Sequence, residues 1–362
     1  MKIFYDHIIF ARQTYGGISK YFCELLKNIP QENWYLSALV SNNQYLAEAN
    51  LRKTINFFPK QSFRSKDAVM DRIGFPYTIC KLHTEKWNIF HPTEMPIKYK
   101  KFIPKNKPVV MTAHDALFYL FHKDNPKREW RIKMDIENCK FADKIIAISE
   151  NTKKDFIQYF GADEQKIEVI YHGIDKQKKS ISDKKIEENP YILFVGLRDG
   201  YKNFSRFAKA FSILSAKFPD LKLVCTGFSF SDEEKKELAA LNILDKIKLI
   251  FASEQQMAQL YHDAEMFVFP SLYEGFGMPI LEAMNYNCPV VLSNTSCFPE
   301  IAQNAGLYFN PLVVDDMIDK MSLVLTNRNV RNNLINLSQE RILDFSWEKC
   351  ANEHINIYKS LV

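Results

Sequence analysis

Between residues 190 and 293, short apolar runs alternate with stretches of helical period, and this alternation narrows the fold more than any other feature of the chain. Residues 191–195 form a continuous apolar run ending at Gly196. A helical stretch follows over 203–218, with apolar residues at 204, 207, 208, 211 and 214. Residues 221–225, 247–251, 266–270 and 289–293 read as further strands, with helices at 255–262 and from Pro279 to Met284. Strands that are apolar throughout are buried on both faces. Their regular alternation with helices predicts a parallel sheet covered on both sides.

The first half shows the same grammar less cleanly. Strand candidates lie at 2–5, 35–40, 89–90, 109–112 and 144–148, and helix candidates at 18–28 and 130–141. Residues 176–189 are rich in Lys, Ser, Asp and Glu and read as a linker. Two domains are therefore expected, 1–185 and 186–345, which suits a length of 362 residues. The tail, 346–362, places Trp347, Cys350, Ala351, His354, Ile355 and Tyr358 at helical spacing and is expected to pack back on the first domain.

The net charge of +5 divides unevenly, +9 over residues 1–189 and −4 over the rest. Lys98, Lys100, Lys101, Lys105 and Lys107 fall in one short basic stretch. A basic half can face an anionic lipid surface, an anionic substrate or nucleic acid, but no nucleic-acid motif accompanies it. The seven cysteines are scattered without a Cys-x-x-Cys pair, so a zinc knuckle or redox pair is not expected. No apolar stretch approaches the ~20 residues that span a bilayer, and no secretory signal is read at Met1. The expected location is cytoplasmic, with peripheral contact on the inner face of an anionic membrane.

The stretch from Phe269 to Met284 carries the chemistry. A strand ends at Pro270, a loop with Gly275 and Gly277 follows, and Pro279 stands where a helix takes its first residue. Free amides at a helix start, beside the positive end of its dipole and at the carboxyl end of a parallel strand, make an anion site. Glu274 and Glu282 flank that site. A carboxylate suits sugar hydroxyls rather than phosphate. A diphosphate with a polyhydroxylated group at each end, such as a nucleotide-sugar, would satisfy amides and carboxylates together.

The Glu-x7-Glu spacing within residues 271–284 resembles the signature of the family-4 retaining glycosyltransferases of the GT-B fold. Residues 289–311 continue the likeness, and Phe4-Tyr5-Asp6 with residues 15–22 resemble the family's glycine loop. Asn287 and Gln303 depart from it, standing where glycine is frequent. The resemblance covers nearly the whole chain. It implies an α/β architecture of two Rossmann-like, doubly wound domains facing a central cleft, and a bacterial surface-polysaccharide enzyme.

Several site residues follow from the resemblance. His114, after the 109–112 strand, would face the donor sugar, with Asp115 as a helix cap. Gly16 and Gly17 would approach the phosphates. Lys202 and Arg198, on the loop after the 191–195 strand, would stabilise the departing diphosphate; the arginine stands one place later than the family's pattern. Thr226, Gly227 and Ser253 would line the base pocket. Gly275, Phe276, Gly277, Met278 and Pro279 would hold the diphosphate, with Glu274 orienting the transferred sugar and Glu282 reading the other. Glu300 would support the pocket or make a helix-start contact, Ser149 would cap a helix or touch a substrate, and residues 171–175 would be a structural turn.

The expected reaction moves a hexose or deoxyhexose from a nucleoside-diphosphate sugar to a hydroxyl of a glycan or lipid-linked glycan, retaining configuration. The 196–203 loop points to a GDP-linked rather than a UDP-linked donor. No cofactor and no divalent metal are expected, since the chain has no Asp-x-Asp. A non-catalytic sugar-nucleotide-binding partner protein would keep such a site without turnover. A glycoside hydrolase would use two carboxylates without the phosphate loop. A nicotinamide enzyme is disfavoured, because no Gly-x-Gly-x-x-Gly follows the first strand.

Overall fold

The computed structural model describes all residues except 62, 96, 123, 124, 126–128, 177–179 and 199. The chain packs as two units, Met1–Gly173 with Ser346–Val362, and Ile174–Phe345.

The first unit contains β1 (Ile3–Tyr5), β2 (Trp34–Leu36), β3 (Ile89–His91), β4 (Val110–Ala113), β5 (Lys144–Ala147) and β6 (Ile167–Val169). They run parallel in the orders β2-β1-β3 and β4-β5-β6, and a bridge between Phe90 and Val109 joins the two sets. Each strand is only three or four residues long, so the apolar signal in the sequence is brief; β6 escaped it. A helix over Lys66–Thr84 also escaped it, because Pro76 lies within it and its apolar residues keep no single face.

The second unit is one six-stranded parallel sheet: β7 (Tyr191–Phe194), β8 (Lys222–Thr226), β9 (Ile247–Ile250), β10 (Met266–Phe269), β11 (Val290–Ser293) and β12 (Gly306–Phe309). Their order is β12-β11-β10-β7-β8-β9. The chain thus winds outward from β7 to β9, then returns to the other side of β7 and winds outward again. Every residue of β7, β10 and β11 is buried, as the unbroken apolar runs of β7 and β10 require. The helix Phe204–Lys217 seats its predicted apolar stripe, Phe204, Phe207, Ala208, Phe211 and Leu214, on this sheet.

The boundary falls ahead of the 176–189 linker expected from composition. The described part of that segment packs with the second unit. The Ser182 amide donates to Gln259 Oε1 at 2.8 Å, and Lys248 pairs with Glu187 at 3.0 Å. Polar composition marked an exposed strap along a domain rather than a joint between two. The tail helix, Trp347–Lys359, belongs to the first unit. There the Tyr358 hydroxyl meets Tyr5 Oη at 2.9 Å and His91 Nδ1 at 2.7 Å. No described helix is long and apolar enough to cross a membrane.

Candidate functional site

The reversal of winding between β7 and β10 sets a topological switch point at their carboxyl ends, where doubly wound sheets take ligands. Two loops rim it, one after each strand. Asn203 sews them together: its amide donates to the carbonyls of Pro270 (3.1 Å) and Pro311 (2.7 Å), and its backbone sits at φ +58. The Leu272 amide donates to the Tyr201 carbonyl at 2.7 Å. Across this seam Lys202 Nζ donates to Glu274 Oε1 at 2.6 Å, both side chains largely shielded from solvent. The sequence alone puts the lysine on the diphosphate and the carboxylate on the sugar. The fold brings them together as a pair.

The loop from Tyr273 to Gly277 is anchored rather than loose. The Glu274 amide donates to Ser296 Oγ at 3.1 Å, and that hydroxyl donates to the Glu274 carbonyl at 2.6 Å. Tyr273 and Phe276 are buried, Phe276 edge-on to Phe345 at 6.1 Å. Gly277 is the N-cap of helix Met278–Asn285 at φ +88, a conformation that L side chains rarely adopt. A Cβ there would stand 3.0 Å from Ile280 Cδ1. The helix opens at Met278, so Pro279 is its second residue rather than its first; the second amide is unsatisfied at a helix start anyway, and the proline ring is tolerated. Glu282 lies within that helix, and the buried Tyr261 hydroxyl donates to its Oε2 at 3.1 Å. Glu300 lies in the first turn of helix Phe298–Ala302.

Gly196 and Gly227, at the ends of the adjacent β7 and β8, approach closely. A Cβ on Gly227 would lie 3.1 Å from the Gly196 carbonyl, and Gly227 holds φ +117. Thr226, just before it, is buried. Arg198 does not join Lys202. Its Nε donates to Glu234 Oε1 at 2.6 Å, its Nη2 to the Phe228 carbonyl at 2.7 Å, and its plane lies over Phe230 at 4.4 Å. The guanidinium thereby fixes the loop after β8; among the described residues its buried Nη1 has no hydrogen-bond partner. Ser253 is likewise redirected. It caps helix Glu254–Asp263 in a reciprocal pair with Gln256, whose Oε1 takes the Ser253 amide at 2.9 Å. The Ser253 carbonyl accepts from Met257 at 2.8 Å, so its backbone groups are engaged within the helix start rather than offered to a base.

In the first unit, Gly16 caps helix Gly17–Lys27. A Cβ on Gly16 would collide with the Gln13 side chain, whose Oε1 accepts from the Ser19 amide at 3.1 Å; Gly17 faces open space. From the same helix Tyr21 reaches a buried network: its hydroxyl meets Thr112 Oγ1 at 3.1 Å and His354 Nε2 at 2.7 Å. His114, following β4, lies edge-on to Tyr21 at 5.3 Å, and burial lowers its pKa to about 3. Its imidazole is neutral at pH 7. Asp115 Oδ1 accepts from the Leu117 amide at 3.0 Å, and Ser149 Oγ accepts from Thr152 at 3.0 Å, both as caps. Gly173, in the 171–175 turn, lies against the Trp347 backbone, where a Cβ would be 2.1 Å from the Trp347 nitrogen.

Asn203, Ser296 and Tyr261 are the structural residues of the site that sequence reasoning missed. Only Asn203 left a signal, an asparagine just ahead of a helix and able to take the left-handed turn.

The second unit is thus a doubly wound α/β domain with an anion-type helix mouth, a lysine and two carboxylates at its switch point. The chain belongs to the glycosyltransferases. The family described as Glycosyltransferase Family 4 matches residues 15–178, and that described as Glycosyl transferases group 1 matches residues 175–341. The O-antigen chain mannosyltransferase RfbU of Salmonella typhimurium is 32% identical over 213 residues, 58% of each chain. O-antigen chain mannosyltransferase B of Escherichia coli is 27% identical over 277 residues, 70% of each. The matched region therefore spans a little over half of the first relative's length. Among solved structures, Anabaena HepE in complex with UDP and glucose superposes with a TM-score of 0.77 at 16% identity, covering 99% of this chain and 100% of that one. That likeness identifies the fold, the GT-B class of paired Rossmann-like domains.

Proposed function

We propose that this protein transfers a mannosyl or related hexosyl group from a GDP-linked donor to a hydroxyl of a glycan or lipid-linked glycan, in the synthesis of a bacterial surface polysaccharide. The observation that carries the reading is the Lys202–Glu274 pair across the switch point of the second unit, beside the mouth of helix Met278–Asn285. The names of the two mannosyltransferase relatives support the sugar and the setting. The sequence of the 196–203 loop supports the base.

In this mechanism the bond from the anomeric carbon to the diphosphate breaks with its electron pair leaving on the phosphate oxygen. The backbone amides up to Met278 at the mouth of helix Met278–Asn285 and the ammonium of Lys202 receive that charge. Preorganised donors of this kind lower a barrier by roughly 3–4 kcal/mol each. Donor entry displaces Glu274 from Lys202, freeing the carboxylate for the sugar hydroxyls. The acceptor oxygen attacks the face the diphosphate leaves, retaining configuration, and its proton passes to the departing phosphate oxygen. Arg198 acts at one remove, by holding the loop after β8. No divalent cation is required. The protein works at the inner face of an anionic membrane.

The test is incubation with GDP-mannose, UDP-glucose and a polyprenyl-diphosphate-linked oligosaccharide in the presence of a chelator. Transfer from GDP-mannose with an α-linked product supports the reading. Transfer only from UDP-glucose would replace the donor, and hydrolysis of an oligosaccharide without donor would replace the reaction class.

A further inference from the structure

The basic stretch at residues 98–107 is largely engaged within the first unit. Lys98 pairs with Asp71, the Lys107 ammonium donates to the Trp87 carbonyl at 2.6 Å, and Lys100 lies over the Phe141 ring. A different segment presents its charge outward. Residues 49–66 contain five basic side chains and no acidic one. Arg52 turns inward to the Tyr77 hydroxyl at 2.7 Å, while Lys53, Lys60 and Arg64 are exposed.

Among these cations stands a cluster of aromatic rings. Phe57, Phe58 and Phe63 pack on one another, Phe57 to Phe58 at 4.9 Å and Phe63 to the two at 6.3 and 6.4 Å. Phe57 also packs against the buried Ala11, Val40 and Met70. Phe58 and Phe63 remain 53% and 42% exposed, and Ile55 beside them 59%. The exposure is built in. Asn42 clamps Phe57 through its amide (2.9 Å) and its carbonyl (2.8 Å). Lys66 Nζ donates to the carbonyls of Phe58 and Gln61, each at 2.9 Å, closing the turn. Phe58 is held at φ +43, an outlier for a bulky residue. The fold sustains backbone strain while leaving an aromatic ring in water.

We propose that residues 53–61 and 63–66 form the element that docks this protein on an anionic phospholipid bilayer. Phe58 and Phe63 insert at the boundary between headgroups and acyl chains, and Lys53, Lys60 and Arg64 meet the lipid phosphates. Exposed rings interleaved along the chain with cations, with Asp67 just past the segment as its nearest following carboxylate, match a surface that is apolar beneath and anionic above. The segment borders a cavity of about 390 Å³ that includes Thr14, next to the glycine loop, so docking would hold that loop near the bilayer. The proposal rests on the membrane reading above.

The experiment is co-sedimentation of the full chain with phosphatidylcholine vesicles, with and without phosphatidylglycerol. The wild type should bind the mixed vesicles and not the neutral ones. Phe58→Ser/Phe63→Ser and Lys60→Glu/Arg64→Glu should each lower partitioning about tenfold or more. Lys101→Glu/Lys105→Glu should leave it within about twofold of wild type. Stabilisation of each variant by a nucleotide-sugar establishes that it is folded. Loop variants that bind like wild type would overturn the assignment of this segment alone. A wild type that ignores mixed vesicles would overturn both the segment and the membrane reading.

Discussion

The two units are built from the same parallel grammar, yet they hold their polar groups differently. The second gathers its functional groups at the rim of one continuous sheet, where Lys202 and Glu274 meet across the switch point. The first places polar groups inside. His91, His172 and His354 are buried among Tyr5, Tyr21, Thr112 and Tyr358, and burial drives all three imidazoles below their ordinary pKa. All four tryptophans and seven of the eight histidines lie in the first unit; His262 is the exception. A charged rim is suited to chemistry, and a buried neutral network to fixing how a tail helix is held. The tryptophans make the contrast measurable, because their fluorescence reports the first unit alone.

The largest expected effect belongs to the rim. Lys202→Ala should lower kcat/KM by roughly a hundredfold or more, about 3 kcal/mol, while leaving the tryptophan-detected unfolding midpoint in place. A matching loss of tryptophan-detected stability would show that the two units are not separable in this way.

Acid should act on the other unit. A histidine whose folded pKa lies below its unfolded value of ~6.5 imposes no penalty above that pH. Stability is then lost as pH falls from about 6.5 toward the folded pKa, about 4 for His354. Between pH 7 and 5 His354 alone should remove about 2 kcal/mol, at most ~1.4 kcal/mol per pH unit. Denaturant titrations followed by tryptophan emission at the two pH values measure this. A midpoint that does not move would contradict the neutral buried network.

Gly277→Ala returns the comparison to the second unit with a smaller effect. The left-handed φ and the 3.0 Å approach to Ile280 should cost about 1–2 kcal/mol and weaken nucleotide-sugar binding about tenfold. Calorimetric titration with the donor reads it. The smallest effect is expected from Tyr21→Phe, which removes a hydroxyl from both Thr112 and His354 and should cost about 1 kcal/mol of tryptophan-detected stability.

The sequence was far more legible in the second unit. Its central strands β7 and β10 are unbroken apolar runs set at regular spacing between helices, and the Gly275–Pro279 entry names its own backbone geometry; β12 at the sheet edge, begun by a glycine, escaped the pattern. In the first unit, three-residue strands such as Ile167–Val169 leave too short a pattern, and Pro76 hides a helix. Site chemistry was legible as residue types but not as partners. Nothing local shows that Arg198 turns to Glu234, 36 residues away, or that Ser253 is consumed by its own helix cap. Those outcomes depend on which loops the sheet order brings side by side. The tail helix was legible as a helix, while its hold on Tyr5 and His91 depends on contacts across more than 260 residues.

The proposed transfer requires first that backbone amides at the switch point of the second unit grip a diphosphate. Hydrogen–deuterium exchange with and without GDP and UDP tests this directly. Protection should appear over residues 195–203 and 274–282 with the cognate diphosphate, leaving the sheet interior unchanged. Protection confined to other segments, with those two loops exchanging as they do in the free protein, would contradict it.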